Sequence, residues 1–232
     1  MKILSIRKGF TSDHSSTSYE FLAVNKALDA KERKAVASLS SRADPTSRRV
    51  SFTYHVDGYD IPGGWQALME KYYDVMYSES YDWWTLAMAF DAPDQKIREL
   101  ENYEFTGEDD LGIEISHQGG RVIVAIHCRL DDAILFESYD DYDEDDEDED
   151  DEDEDATGEG DESKGYDSWQ EEDELLSLLV EVREQLQQGD YRSLYAVWGR
   201  YGYPNEEPPV PHQPPEKVQG RDVVARFAAL LD

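Results

Sequence analysis

Asp13-His14-Ser15 brings together the three residue types of a hydrolytic triad. That chemistry needs the hydroxyl within about 3 Å of the imidazole and the carboxylate on the ring's far side, which distant residues usually arrange. Three adjacent residues do not reach that geometry, and no Gly-x-Ser-x-Gly elbow occurs in the chain. The segment therefore reads as a Ser/Thr-rich loop whose side chains bond to nearby backbone. His55, His117 and His127 with Asp13 could in principle converge on a metal, but they lie on separate strand-like segments without zinc-type spacing. Cys128 is the only cysteine, so no internal disulfide forms. It follows His127 in an alternating stretch, where neighbouring side chains face opposite ways, and reads as a small buried apolar group. Gly63-Gly64 and Gly119-Gly120 lack phosphate-loop or dinucleotide spacing. The sequence thus assigns no catalytic residue, no metal ligand and no cofactor.

Two features could instead recognise a partner. Asp143 to Asp155 is an unbroken run of 13 carboxylates, beginning Asp143, Glu144, Asp145, Asp146. Carboxylates suit calcium, but the run has neither the glycine turn nor the spaced ligands of an EF-hand loop. Diffuse cation condensation and attraction to a basic protein surface follow from it. The second feature is Trp83-Trp84, set among Tyr72, Tyr73, Tyr77 and Tyr81. Adjacent residues of a strand point to opposite faces, so both tryptophans are core only if both faces are covered. Core is the first expectation for each. With one face open, the other tryptophan becomes a contact residue.

Totals bound the rest. The chain has 232 residues, 39% of them hydrophobic and 12% aromatic, enough for a sizeable core. Net charge is −32, placed unevenly. Residues 137–162 hold 19 acids and no Lys or Arg, and the remainder carries 35 acids against 22 bases. The first 49 residues run the other way, with 10 Lys/Arg against 5 Asp/Glu. Such acidity argues against direct binding of nucleic acid. No run of 18 apolar residues occurs, and the apolar stretch at Ile3–Ile6 is too short for a signal-peptide core. A cytoplasmic protein that binds no membrane is the expectation.

The elements that would carry these residues divide at the acidic run. Over 1–136 the pattern predicts an α+β domain with a mixed or antiparallel sheet. Its strands are Lys2–Arg7, Tyr19–Asn25, Arg49–Val56 and Trp83–Phe90, with a hairpin of Leu111–Ser116 and Arg121–Leu130. Asp29 with Glu32 forms a capping-box pattern for a helix to about Leu39, and Pro93 can open another through Leu100. Trp65, Leu68, Met69, Tyr72, Tyr73 and Met76 recur at helical spacing. Residues 137–167 read as a solvated, disordered linker. Over 168–232 a helical module follows, with Leu175, Leu179, Val182 and Leu186 on one stripe and Gly189 as its stop. Tyr191, Leu194, Tyr195 and Trp198 form the expected seam of the next helix. A stiff proline-rich connector at 204–215 then leads to a last helix at Val223–Leu231.

On these elements sit four short motifs: Tyr19-Glu20-Phe21-Leu22-Ala23, Ser40-Ser41-Arg42-Ala43, Gly189-Asp190-Tyr191-Arg192-Ser193-Leu194-Tyr195 and Pro208-Pro209-Val210-Pro211. Together with an acidic stretch ahead of C-terminal helices, they resemble a family of uncharacterised bacterial proteins. The likeness covers most of the chain. It departs in the polar segment Phe10–Ser18 and in the length of the acidic run. The resemblance implies a SWIM-type zinc-finger protein as neighbour and partner. It implies no activity and no catalytic residue.

A non-catalytic interaction protein whose acidic tract engages a basic partner is therefore the leading expectation. A hydrolase built on His14 or another histidine, and an acidic mimic of nucleic acid, are its rivals. The tract has too little apolar surface to offset the entropy of ordering it. Deleting Tyr142–Glu162 should leave the melting temperature unchanged or raise it, because self-repulsion is relieved. A large loss on thermal unfolding would show that the tract docks on the fold.

Overall fold

The computed structural model describes residues 16–41, 43–55, 61–80, 83–130, 174–203 and 222–232. The Lys2–Arg7 strand, Asp13-His14-Ser15, Tyr81, the acidic tract with Asp143, Glu144, Asp145 and Asp146, and the 204–215 connector lie outside them.

Among the described residues seven strands form one antiparallel sheet: β1 Ser16–Leu22, β2 Arg49–His55, β3 Val75–Ser80, β4 Trp83–Asp91, β5 Phe105–Thr106, β6 Gly112–Gln118 and β7 Arg121–Cys128. Their order across the sheet is β2-β1-β3-β4-β7-β6-β5. Every pairing is antiparallel, so hairpins and short helices suffice to connect neighbours. Gly119 and Gly120 both take positive φ, 60° and 86°, at the tight turn joining β6 to β7. The α+β class and the hairpin stand as expected.

Helices cover both faces. On one side lie α1 Ala30–Ala37 and α2 Gly64–Lys71; on the other lie α3 Asp94–Glu101, α4 Glu174–Gln188, α5 Arg192–Tyr201 and α6 Val223–Leu231. Asp29 caps α1 in a full capping box with Glu32. Gly189, at φ 85°, ends α4 by turning its amide back to the Leu186 carbonyl. β4 divides its side chains between the two layers. Trp84, Leu86, Met88 and Phe90 meet α4 and α3, whereas Ala87 and Ala89 join Met69 and Leu68 of α2. The alanines let α2 come close to the central strands.

Two readings change. The helical run Trp65–Met76 stops at Lys71, and Val75–Ser80 is a strand in the middle of the sheet. Spacing of aromatic and apolar residues fits a 3.6 period and a period of two equally over so short a stretch. Tertiary bonds decide it, because the Asp74 amide donates to the Leu22 carbonyl and its carbonyl accepts from the Ala89 amide. The expected seam of α5 also shifts. Leu194, Val197 and Ser193 are its buried residues, while Trp198 is half-buried beside Tyr195. The Trp198 ring packs on Gly202, where any Cβ would lie 2.7 Å from the indole.

The sequence places the helices after the acidic tract in a module of their own. In the structure Leu175, Leu179, Val182, Leu186, Leu194, Phe227 and Leu230 share one continuous core with Tyr77, Trp84, Phe90 and Val124 of the sheet. One polar group fastens this packing. Asp74, only 4% exposed, takes the Val24 and Asn25 amides on Oδ2 at 2.7 and 2.8 Å. Its Oδ1 accepts Arg121 Nη2 at 3.0 Å, the Asn25 side-chain amide at 3.3 Å and Arg183 Nη2 at 3.4 Å. Arg183 projects from α4, is 1% exposed, and donates from Nε to the Ala89 carbonyl at 2.7 Å. Burial holds its guanidinium below the ordinary value, and the Asp74 carboxylate opposes that shift.

The two charges are not equivalent. Removing Asp74 strands Arg183 in the interior, whereas removing Arg183 leaves Asp74 with Arg121 and two backbone amides. Asp74→Ala should cost about 3–5 kcal/mol. Arg183→Met, which fills the space with apolar atoms, should cost less than half as much. Urea denaturation of both variants checks this order.

Candidate functional site

The sheet face beneath α1 and α2 is covered unevenly. Along β4 the positions on that face are Trp83, Thr85, Ala87 and Ala89. The last two are buried under α2, while Thr85 is half-buried and Trp83 is 37% exposed. Trp84 points the other way and is 1% exposed against Tyr77. The expectation that both tryptophans are core is corrected for Trp83. Among the described residues no helix reaches the end of the face on which it sits.

Trp83 has a charged neighbour. The Arg129 guanidinium lies 5.2 Å from the ring centre, in cation–π geometry, and also pairs with Asp109 at 3.4 Å. Arg129 is fixed in turn by α5. The Tyr201 hydroxyl donates to its carbonyl at 3.0 Å and accepts from its amide at 3.3 Å. Burial pushes that hydroxyl up to about 12, so it stays a donor at neutral pH. Trp83 and Tyr203 are the large hydrophobic side chains exposed among the described residues.

Beside Trp83 runs a polar ladder. The Thr85 hydroxyl is 3.3 Å from His127 Nδ1, and Glu114 Oε2 is 3.3 Å from His127 Nε2. The residue types match a nucleophile, a base and an orienting carboxylate. The backbone around them is paired in the β4–β7–β6 ladder. The three side chains are cross-strand neighbours on an open strand face, and their contacts account for their positions.

Neither His117 nor Cys128 converges on His127. His117 pairs with Glu101 at 3.5 Å on the surface, and His55 lies at the end of β2. Cys128 faces the opposite side of β7 from His127, fully buried, and burial pushes its thiol far above the ordinary range. Among the described residues no group of three His, Cys, Asp or Glu side chains could hold a metal ion.

Arg129, Thr85 and Glu114 were not singled out from sequence. Nothing in their local pattern marks them, since the face they share exists only once β4, β7 and β6 pair. Comparison with protein-family models, curated sequences and solved structures finds no match to this chain. No helix among the described residues is long and apolar enough to cross a membrane.

The two adjacent tryptophans should separate cleanly in denaturation. Trp84→Ala, which opens a cavity in the core, should cost about 3–5 kcal/mol. Trp83→Ala should stay within about 1 kcal/mol of the parent, as a surface change does.

Proposed function

We propose that this is a non-catalytic interaction protein of the cytoplasm. Its acidic tract engages a basic surface on a protein partner, and the open sheet face at Trp83 receives the adjoining part of that partner. The observation that supports this reading is an exposed tryptophan, stacked by Arg129, beside the end of β7 from which the chain runs toward the tract. Glu137, the first of the 19 acids in 137–162, follows Arg129 by eight residues. That length of chain reaches at most about 28 Å. An aromatic anchor beside a dense charge is a common arrangement for binding energy and steering, respectively.

Charge chooses the partner's chemistry. The face carries Glu114 and Asp109, and its cation Arg129 is already paired. Neither the face nor the tract would attract nucleic acid or an anionic membrane. A basic protein complements both, and a SWIM-type zinc-finger protein is the first candidate, on the resemblance alone.

Cross-linking followed by identification supplies the partner, and titration of the purified pair then tests the reading. Affinity should fall steeply as salt rises, because exposed charges are screened over about 8 Å at physiological ionic strength. Replacing Asp143–Asp155 with Asn and Gln should weaken binding more than tenfold and flatten the salt dependence. Trp83→Ala should weaken it by about tenfold or more at every salt concentration. Binding indifferent to salt and to the tract would contradict the proposal. A partner that releases nucleic acid when this protein binds would instead favour the mimic.

A further inference from the structure

At the far end of the same strands, some 25 Å along β4 from Trp83 by strand rise, a cleft of about 290 Å³ opens between α1, α2 and the start of β7. Its floor is Arg121, whose side chain is 17% exposed. A guanidinium has five N–H donors in a fixed fork. Three of Arg121's are spent: Nε donates to the Met69 carbonyl at 2.8 Å, and Nη2 donates to the Tyr73 carbonyl at 2.7 Å and to Asp74 at 3.0 Å. Nη1 has no hydrogen-bond acceptor among the described residues, its nearest carboxylate being Asp91 at 3.8 Å. The fork is thus locked from behind with two donors left over. That is the preorganised form in which arginine binds a carboxylate.

The remaining charges of the cleft narrow the ligand. Lys26 is neutralised by Glu32 at 2.8 Å, and Asp74 by two guanidiniums. What is left is Arg121 Nη1 and Lys71 on the cationic side and Asp91 on the anionic side; Glu70 also lines the cleft, but its two oxygens already accept from the Gln118 side-chain amide at 2.8 and 2.9 Å. Lys71 and Asp91 are both exposed at the rim, and Lys71 has no ion-pair partner among the described residues. A phosphate dianion would meet two carboxylates here, and a simple cation would meet two bases. A molecule carrying one charge of each sign satisfies both. Leu28 and the Tyr72 ring supply an apolar wall for a side chain, and the volume is that of a small ligand site.

We infer that this cleft binds a small zwitterion of the α-amino-acid class, its carboxylate on Arg121 Nη1 and Lys71 and its ammonium on Asp91. This site is independent of the Trp83 face and does not rest on the protein–protein reading.

The test is thermal unfolding of the full chain with each of the twenty L-amino acids at about 10 mM. Bound ligand stabilises the fold by mass action, so a dissociation constant near 0.1 mM should raise the melting temperature by roughly 5 °C or more. At least one amino acid should do so, and its carboxamide and its N-acetyl derivative should bind at least tenfold more weakly by calorimetry. Lys71→Gln and Asp91→Asn, both at the rim, should leave the free protein's melting temperature unchanged. Each should weaken the amino acid at least fivefold. Arg121 itself is avoided because it anchors α2 and β3. No shift with any amino acid would overturn the assignment, as would equal binding of the carboxamide or full affinity in both variants. Stabilisation by inorganic phosphate without any by amino acids would also overturn it, and would mark a plain anion site.

Discussion

A carboxylate buried between two guanidiniums sets the position of everything around it. Asp74 is nearly inaccessible, and an unpaired charge there would cost several kcal/mol. Its partners come from three separate stretches of chain: Val24 and Asn25 after β1, Arg121 at the start of β7, and Arg183 in the middle of α4. The apolar contacts of α4 are general, since leucines on a helix can pack on a sheet in several registers. Arg183 allows only one. Sliding the helix by a turn, about 5.4 Å, would carry the guanidinium away from Asp74 and into the layer of Leu86, Met88 and Phe90. Hydrophobic burial supplies the attraction of α4 for the sheet, and the ion pair selects its seat.

From that seat the two ends of the sheet acquire different characters. At the Asp74 end, α2 is tied down through the Met69 carbonyl and α4 through the Ala89 carbonyl, so both faces are closed. At the other end, one face runs out of helix among the described residues. An eight-residue helix such as α2 spans about 12 Å. The nine residues of β4 span roughly 30 Å. The layer that covers Ala87 and Ala89 therefore stops before Trp83, while the 15-residue α4 continues over Trp84 on the opposite side. The polar ladder and the tethered tryptophan at the open end follow from this mismatch of lengths.

Much of this was legible in the residues. Alternation in Arg121–Cys128, the capping pattern at Asp29 and the Gly119-Gly120 turn each encode their element locally, and each stands where expected. The leucine stripe of α4 was equally plain, but not what it would cover, because a stripe records that a surface is buried and not against which partner. Arg183 interrupts that stripe as an ordinary exposed helix residue would. Only the meeting of Asp74 and Arg183, 109 positions apart, shows it to be internal. β3 was lost for the same reason, since its strand character is imposed by Leu22 and Ala89 on either side. Of the candidate contacts, the sequence could state that Trp83 and Trp84 face opposite ways. Which one is covered depends on how far α2 reaches.

The shared core is what joins the stretches on either side of the acidic tract, and it can be tested by cutting between them. A specific protease site placed within Asp143–Asp155 allows the folded protein to be cleaved there without touching the sheet or the helices. The two fragments should co-elute as one particle on size-exclusion chromatography, unfold in a single transition, and separate only in denaturant. Fragments that part under native conditions and each keep a cooperative fold would contradict a core common to both.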